Sequence, residues 1–220
     1  MKTVHQPIIK LDAKALVTGK PVYTEDLAPS DCLVVKLLRS PHAYAKILEI
    51  KKDIALKVPG IECILTYEDV PQQRFTMAGQ SYPEPSPYDR LILDKYVRYV
   101  GDPVAIVAGE NEKVVDRALK LIKVQYEILE PVLDFEQAID HPSCIHPEED
   151  YHVNFDIGNE VKRNICCKEG FEAGDINKAF SESDVVLERT YHTKANNQAM
   201  METFKTYTYL DYNGRLNIVT

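Results

Sequence analysis

The stretch from Tyr99 to Ile128 changes hydrophobic period twice, and nothing else in the chain limits the fold so tightly. Pro103-Val-Ala-Ile-Val-Ala108 is wholly apolar, as in a strand covered on both faces. Val115, Ala118, Leu119 and Ile122 then repeat at i, i+3, i+4 and i+7, the stripe of an amphipathic helix starting near Asn111. Val124, Tyr126 and Ile128 alternate with Lys123, Gln125 and Glu127, a half-buried strand. Strand, helix and strand in this order predict a right-handed βαβ crossover. The expected class is α/β or α+β, with a mixed sheet and helices packed on it.

Other segments supply further strands. Cys32–Leu38 is a near-continuous apolar run ending at Ser40-Pro41, and Tyr44–Ile50 reads as the next strand. Residues 53–58 can make one or two helical turns before Pro59-Gly60. Ile61, Cys63, Leu65 and Tyr67 alternate with Glu62, Ile64 and Thr66, predicting a strand with one more deeply buried face. Residues 72–90, with Gly79, Pro83, Pro85 and Pro87, read as a long surface loop. Gly174-Asp175 offers an N-cap for a short helix over Ile176–Phe180. Val185, Leu187 and Tyr191 predict one face of a strand, and Thr206–Leu210 with Leu216–Thr220 a hairpin around Asn213-Gly214. The hairpin's apolar second strand meets the last residue, which reads as a cut rather than a natural domain end.

Composition narrows the function classes. The 220 residues carry 34 acids against 26 Lys plus Arg, a formal charge of -8, which disfavours nucleic acid and anionic membranes. No apolar run approaches a bilayer span, and the first twenty residues hold no secretory h-region. Five cysteines, at 32, 63, 144, 166 and 167, lack the even count and tight spacing of a secreted disulfide framework, as expected of a reduced, cytoplasmic protein.

Several constellations invite chemistry. Asp140 to His152 contains His141, Cys144, His146, Glu148, Glu149, Asp150 and His152, all ligand types for a divalent metal. Their spacing fits no common zinc pattern, and Pro142 and Pro147 hold the chain extended, so the favoured reading is a solvated linker. Cys166-Cys167 suits neither zinc nor an iron–sulfur cluster if adjacent strand residues point to opposite faces. That predicts one buried and one exposed thiol, with a vicinal disulfide as the open alternative. Gly101 and Gly109 stand alone and form no phosphate loop. Ser40 and His42 are neighbours without a nucleophile elbow. Glu202, in Gln198-Ala-Met-Met-Glu-Thr203, is a carboxylate in an otherwise apolar or neutral segment, with a structural hydrogen-bonding role favoured over acid–base work.

The order of seven segments resembles a known family: Thr18–Leu27, Arg39-Ser-Pro-His-Ala43, Val58-Pro-Gly-Ile61 with Tyr67–Pro71, Val97–Val107, Val124–Pro131, Gly174-Asp175 and Gln198–Thr203. Together they are similar to the start of the molybdenum-binding large subunit of the xanthine dehydrogenase and aldehyde oxidase family. The resemblance selects the α+β class and implies an N-terminal arm over 1–17, an α/β hammerhead domain over 18–135, a linker over 136–160 and the start of the molybdopterin-binding domain over 161–220. It implies a complete enzyme that hydroxylates purines, other N-heterocycles or aldehydes with oxygen from water. Molybdenum–molybdopterin would be its cofactor, with [2Fe–2S] clusters and FAD on partner subunits or domains. The family's pterin-contacting Gln motif, its Gly-rich segment and its catalytic glutamate all lie beyond this sequence. No catalytic, cofactor-binding or metal residue is therefore assigned here, and the chain alone is expected to be inactive. The alternative is a stand-alone, non-catalytic binding or scaffold module on the hammerhead fold.

Overall fold

A computed structural model describes residues 4–77, 82 and 85–220. Gly79 and Pro83, within the expected 72–90 loop, lie outside the described residues. In chain order the elements are α1 (Ala13–Val17), α2 (Thr24–Leu27), β1 (Val34–Arg39), β2 (Ala45–Lys51), α3 (Asp53–Leu56), β3 (Ile61–Leu65) and β4 (Tyr96–Val97). They continue with β5 (Pro103–Gly109), α4 (Glu112–Leu121), β6 (Lys123–Ile128), α5 (Ile176–Glu182), β7 (Tyr207–Leu210) and β8 (Leu216–Val219). The chain forms two compact units, one of Leu33–Val186 and one of Met1–Cys32 with Leu187–Thr220.

The larger unit holds two three-stranded sheets, ordered β1-β5-β3 and β4-β2-β6. The α+β class stands, but the expected βαβ crossover does not form. β5 and β6 lie in different sheets, and every ladder between named strands is antiparallel. The reason is geometric. β1 and β3 occupy both sides of β5, leaving it no open edge, so the chain leaving α4 pairs with β2 instead. The alternation in β3 also shifts phase, because a bulge between Ile61 and Cys63 turns Ile64 and Thr66 to the deeper face.

The apolar run of β5 is buried as its sequence predicts, with Val104, Ala105 and Val107 fully covered. α4 lays Val115 and Ala118 onto that sheet beside Ala55, Val58, Ile64 and Ile122. A second cluster, Ala45, Ile47, Val97 and Val104, fills the other sheet, and Leu38, Ile50 and Val124 pack against both. Asn111 caps α4, its side chain accepting from the Val114 N–H at 3.1 Å. Asn111→Ala should cost about 1 kcal/mol in urea unfolding by leaving that donor to water. Gly109 is fixed by close approach, since a Cβ there would lie 2.9 Å from the Gly60 carbonyl oxygen.

In the smaller unit, β7 and β8 form the expected hairpin, with Gly214 in the left-handed region at φ +74°. The strand expected around Val185, Leu187 and Tyr191, which straddle the boundary between the units, does not form: these side chains are exposed, and among the described residues no strand pairs with this backbone. Among the described residues no helix is long and apolar enough to cross a membrane.

Candidate functional site

The densest polar constellation is centred on Arg98, just past β4. Its side chain is only 9% exposed. Nη1 donates to Asp94 Oδ2 at 2.7 Å, Nη2 to both oxygens of Glu148 at 3.1 Å, and Nε to the Ile145 carbonyl at 3.1 Å. Burial opposes the Arg98 charge, but Asp94 and Glu148 outweigh it and raise the guanidinium above its ordinary value. A second buried guanidinium, Arg74, lies 3.3 Å from Glu148 and 2.8 Å from Asp150, and donates to the Asp89 carbonyl at 3.1 Å. Its Nε is shielded from solvent without a well-aligned acceptor.

Glu148 is the hinge of this network. Burial pushes its carboxyl up, but the 2.7 Å hydrogen bond with His146 and the charge of Arg98 prevail and bring it down to about 2. Asp69 is likewise held at about 2 by the Lys52 ammonium and the Thr66 hydroxyl and N–H. Both carboxylates titrate below their unfolded values of about 4. Their contribution to stability is therefore complete above about pH 5 and is lost as the pH falls toward 2. Urea titrations across that range should show a falling midpoint, with the fall shallower in Glu148→Gln.

This network overturns the reading of residues 140–152 as a solvated linker. Tyr44 donates its hydroxyl to the Cys144 carbonyl at 2.9 Å, and Asn164 Oδ1 accepts from the Ile145 N–H at 3.0 Å. His152 stacks on Tyr88 with ring centroids 4.6 Å apart, and their backbones meet in a bridge. The histidines are spent separately. His141 Nδ1 accepts from the Ser143 N–H, His146 meets Glu148, and His152 Nδ1 lies 3.0 Å from the Asp150 carbonyl. Among the described residues no three His, Cys, Asp or Glu side chains converge on a cation position. Arg74, Asp94 and Arg98 escaped the sequence reading. The available signal was Arg98 between Asp94 and Asp102, four residues away on each side.

The other candidates resolve individually. Ser40 Oγ donates to the His42 carbonyl and accepts from its N–H, both at 3.0 Å, while the His42 ring packs edge-on against Tyr126. This is a closed corner, not a nucleophile and base. Gly101 takes φ +99° in a turn. Glu202 is exposed, against the buried setting its sequence neighbours suggested, and its Oε1 accepts from the Thr24 N–H at 2.8 Å at the start of α2. Cys166 and Cys167 are both exposed, against the expectation of one buried thiol. They lie outside any strand, just after the left-handed Asn164, so strand alternation does not apply.

Two clefts border the cluster. One of about 240 Å³ is lined by Phe75, Asp94, Arg98 and Asp102, and one of about 340 Å³ by Val132, Phe135, His146 and Tyr151. Beside them, the charges of Arg98 and Glu148 are spent on each other.

Comparisons with known proteins give a consistent picture. Residues 18–130 match the family model described as aldehyde oxidase and xanthine dehydrogenase, a/b hammerhead domain. Residues 157–220 match that of the molybdopterin cofactor-binding domain. The chain is 36% identical to "Probable hypoxanthine oxidase XdhD" of Escherichia coli O157:H7, over 94% of this chain and 24% of that protein. It is 33% identical to a probable xanthine dehydrogenase subunit of Bacillus subtilis, over 89% of this chain and 24% of the relative. The chain thus spans about a quarter of the length of these curated relatives. The aldehyde oxidoreductase of Desulfovibrio gigas shares the fold, with a TM-score of 0.71 at 23% identity over 94% of this chain and 22% of that one. The residues here do not by themselves fit a molybdopterin. A cofactor seat is concave and encloses its ligand, whereas every residue from Cys166 to Thr206 is exposed.

Proposed function

The chain belongs to the aldehyde oxidase and xanthine dehydrogenase family, and on that premise we propose that it is supporting framework of a molybdenum hydroxylase large subunit, inactive alone. The reactive centre is then furnished by polypeptide outside these residues. The observation that carries this reading is the pairing of a match over 157–220 to a molybdopterin domain with the exposure of every residue from Cys166 to Thr206. The division attached to it is an arm over 1–17, a hammerhead domain over 18–135, a connecting segment over 136–160 and the opening of the cofactor domain from 161. No catalytic, cofactor-contacting or metal residue is assigned within the chain.

The complete enzyme would hydroxylate a purine, another N-heterocycle or an aldehyde with oxygen from water, in the cytoplasm. Electrons would pass to [2Fe–2S] and FAD partners. The names of the two bacterial relatives favour a purine. A second reading, a non-catalytic scaffold module, draws support from the buried cluster of the larger unit, where Arg74 and Arg98 pair with Asp94 and Glu148. Sequencing the gene beyond the Thr220 codon separates the two. A continuing frame supports the enzyme reading, and a stop codon supports the module. Under either, hypoxanthine, xanthine or an aldehyde offered to this chain with an artificial electron acceptor should give no turnover above background.

A further inference from the structure

The paired thiols of Cys166 and Cys167 occupy a site that the molybdenum reading does not use. Both line one groove of about 400 Å³, walled by Pro85, Pro87 and Ile157 and bounded by Lys168. Both are exposed and neither is in a disulfide. Backbone bonds fix the chain on either side. Glu160 and Ile165 exchange N–H···O bonds at 2.9 and 3.1 Å, and the Lys168 N–H donates to the Ile157 carbonyl at 2.8 Å. The approach is close enough that a Cβ on Gly158 would sit 2.9 Å from Lys168 Cβ. Lys168 is itself held by an ion pair to Glu160. Two thiols are thus presented side by side on a clamped backbone, against an apolar wall.

Three chemistries compete for such a pair. Zinc needs four ligands, and no group of three His, Cys, Asp or Glu converges among the described residues. A vicinal disulfide would join Cα atoms about 3.8 Å apart across a trans peptide, shorter than the roughly 4.4–6.8 Å that unstrained disulfides span. A bridging atom between the sulfurs relaxes that constraint. We propose that Cys166 and Cys167 form a dithiol chelating site for a soft, trivalent thiophilic centre of the organoarsenical class. With an arsenoxide, R–As=O, two As–S bonds form while the arsenic–oxygen bonds break. Oxygen leaves as water carrying both thiol protons, arsenic stays trivalent, and no oxidant is consumed. The organic group lies along Pro85, Pro87 and Ile157. The Cys167 thiol is pushed above its ordinary value, chiefly by its hydrogen bond with Cys166, so it is a poor target for single-thiol alkylation. Chelation uses the two sulfurs together.

The test is intact-mass analysis of the full chain treated with phenylarsine oxide. The expected product carries one phenylarsenic group on the peptide containing both cysteines, stable to excess monothiol and released by a dithiol. Cys166→Ser and Cys167→Ser should each bind roughly 100-fold more weakly, because the second bond is no longer intramolecular. Replacing Cys32, Cys63 and Cys144 by Ser should leave the adduct in place. An adduct equally monothiol-resistant in either single variant, mapping to another cysteine, or failing to form would overturn the assignment. The outcome does not depend on the molybdenum reading, since no molybdenum is involved.

Discussion

Arg98→Met should destabilise the larger unit by about 3–5 kcal/mol, seen as a lower urea midpoint at unchanged slope. The substitution keeps much of the side-chain volume but removes five hydrogen bonds from that side chain, to Asp94, Tyr96, Ile145 and both Glu148 oxygens. Among the described residues, Asp94 and Glu148, 15% and 11% exposed, then keep Arg74 as their cationic neighbour, with His146 hydrogen-bonded to Glu148. Leaving a charge buried without its counter-ion costs far more than the intact pair contributes. Arg98→Lys should recover only part of the loss, because an ammonium cannot meet both Glu148 oxygens while reaching the Ile145 carbonyl. Residues 140–152 should become protease-sensitive in Arg98→Met, since this side chain holds them to the sheets. A loss below about 1 kcal/mol would place the cluster among ordinary surface ion pairs.

Ile47→Ala should be nearly as severe, costing about 2–5 kcal/mol. Ile47 is fully buried, in the cluster with Ala45, Val97 and Val104. It also stands where the β2–β6 register shifts, opposite Tyr126, so neighbouring backbone is poorly placed to collapse into the space left. Val35→Ala is the control. Val35 is on β1 but 57% exposed, and its truncation should change stability by less than about 0.5 kcal/mol. Equal losses at the two positions would contradict the assignment of the core.

The sequence made local structure legible where one physical signal dominated. The stripe of Val115, Ala118 and Ile122, the Asn111 cap and the apolar run of β5 each specify their element without help from distant residues. What period cannot reveal is which strand lies beside which. The βαβ reading failed because β5 already has a partner on both edges, a fact of pairing that β5 and β6 do not encode locally. The same limit hid the polar cluster. Arg74 and Glu148 are far in the chain from the neighbouring Asp94 and Arg98, and only the fold brings each guanidinium within 4.0 Å of both carboxylates. Cys166-Cys167 misled for a different reason, since strand alternation was assumed where a left-handed Asn164 had already ended the regular backbone. The family was legible because seven weak motifs kept their order, and order along a chain needs no knowledge of packing.

The framework reading turns on whether these residues can retain the metal cofactor. The direct measurement is the molybdenum content of the purified chain, expressed in a host that makes molybdopterin and analysed by elemental mass spectrometry. The account predicts molybdenum no higher than the buffer blank. Molybdenum at one equivalent per chain, surviving gel filtration, would contradict it.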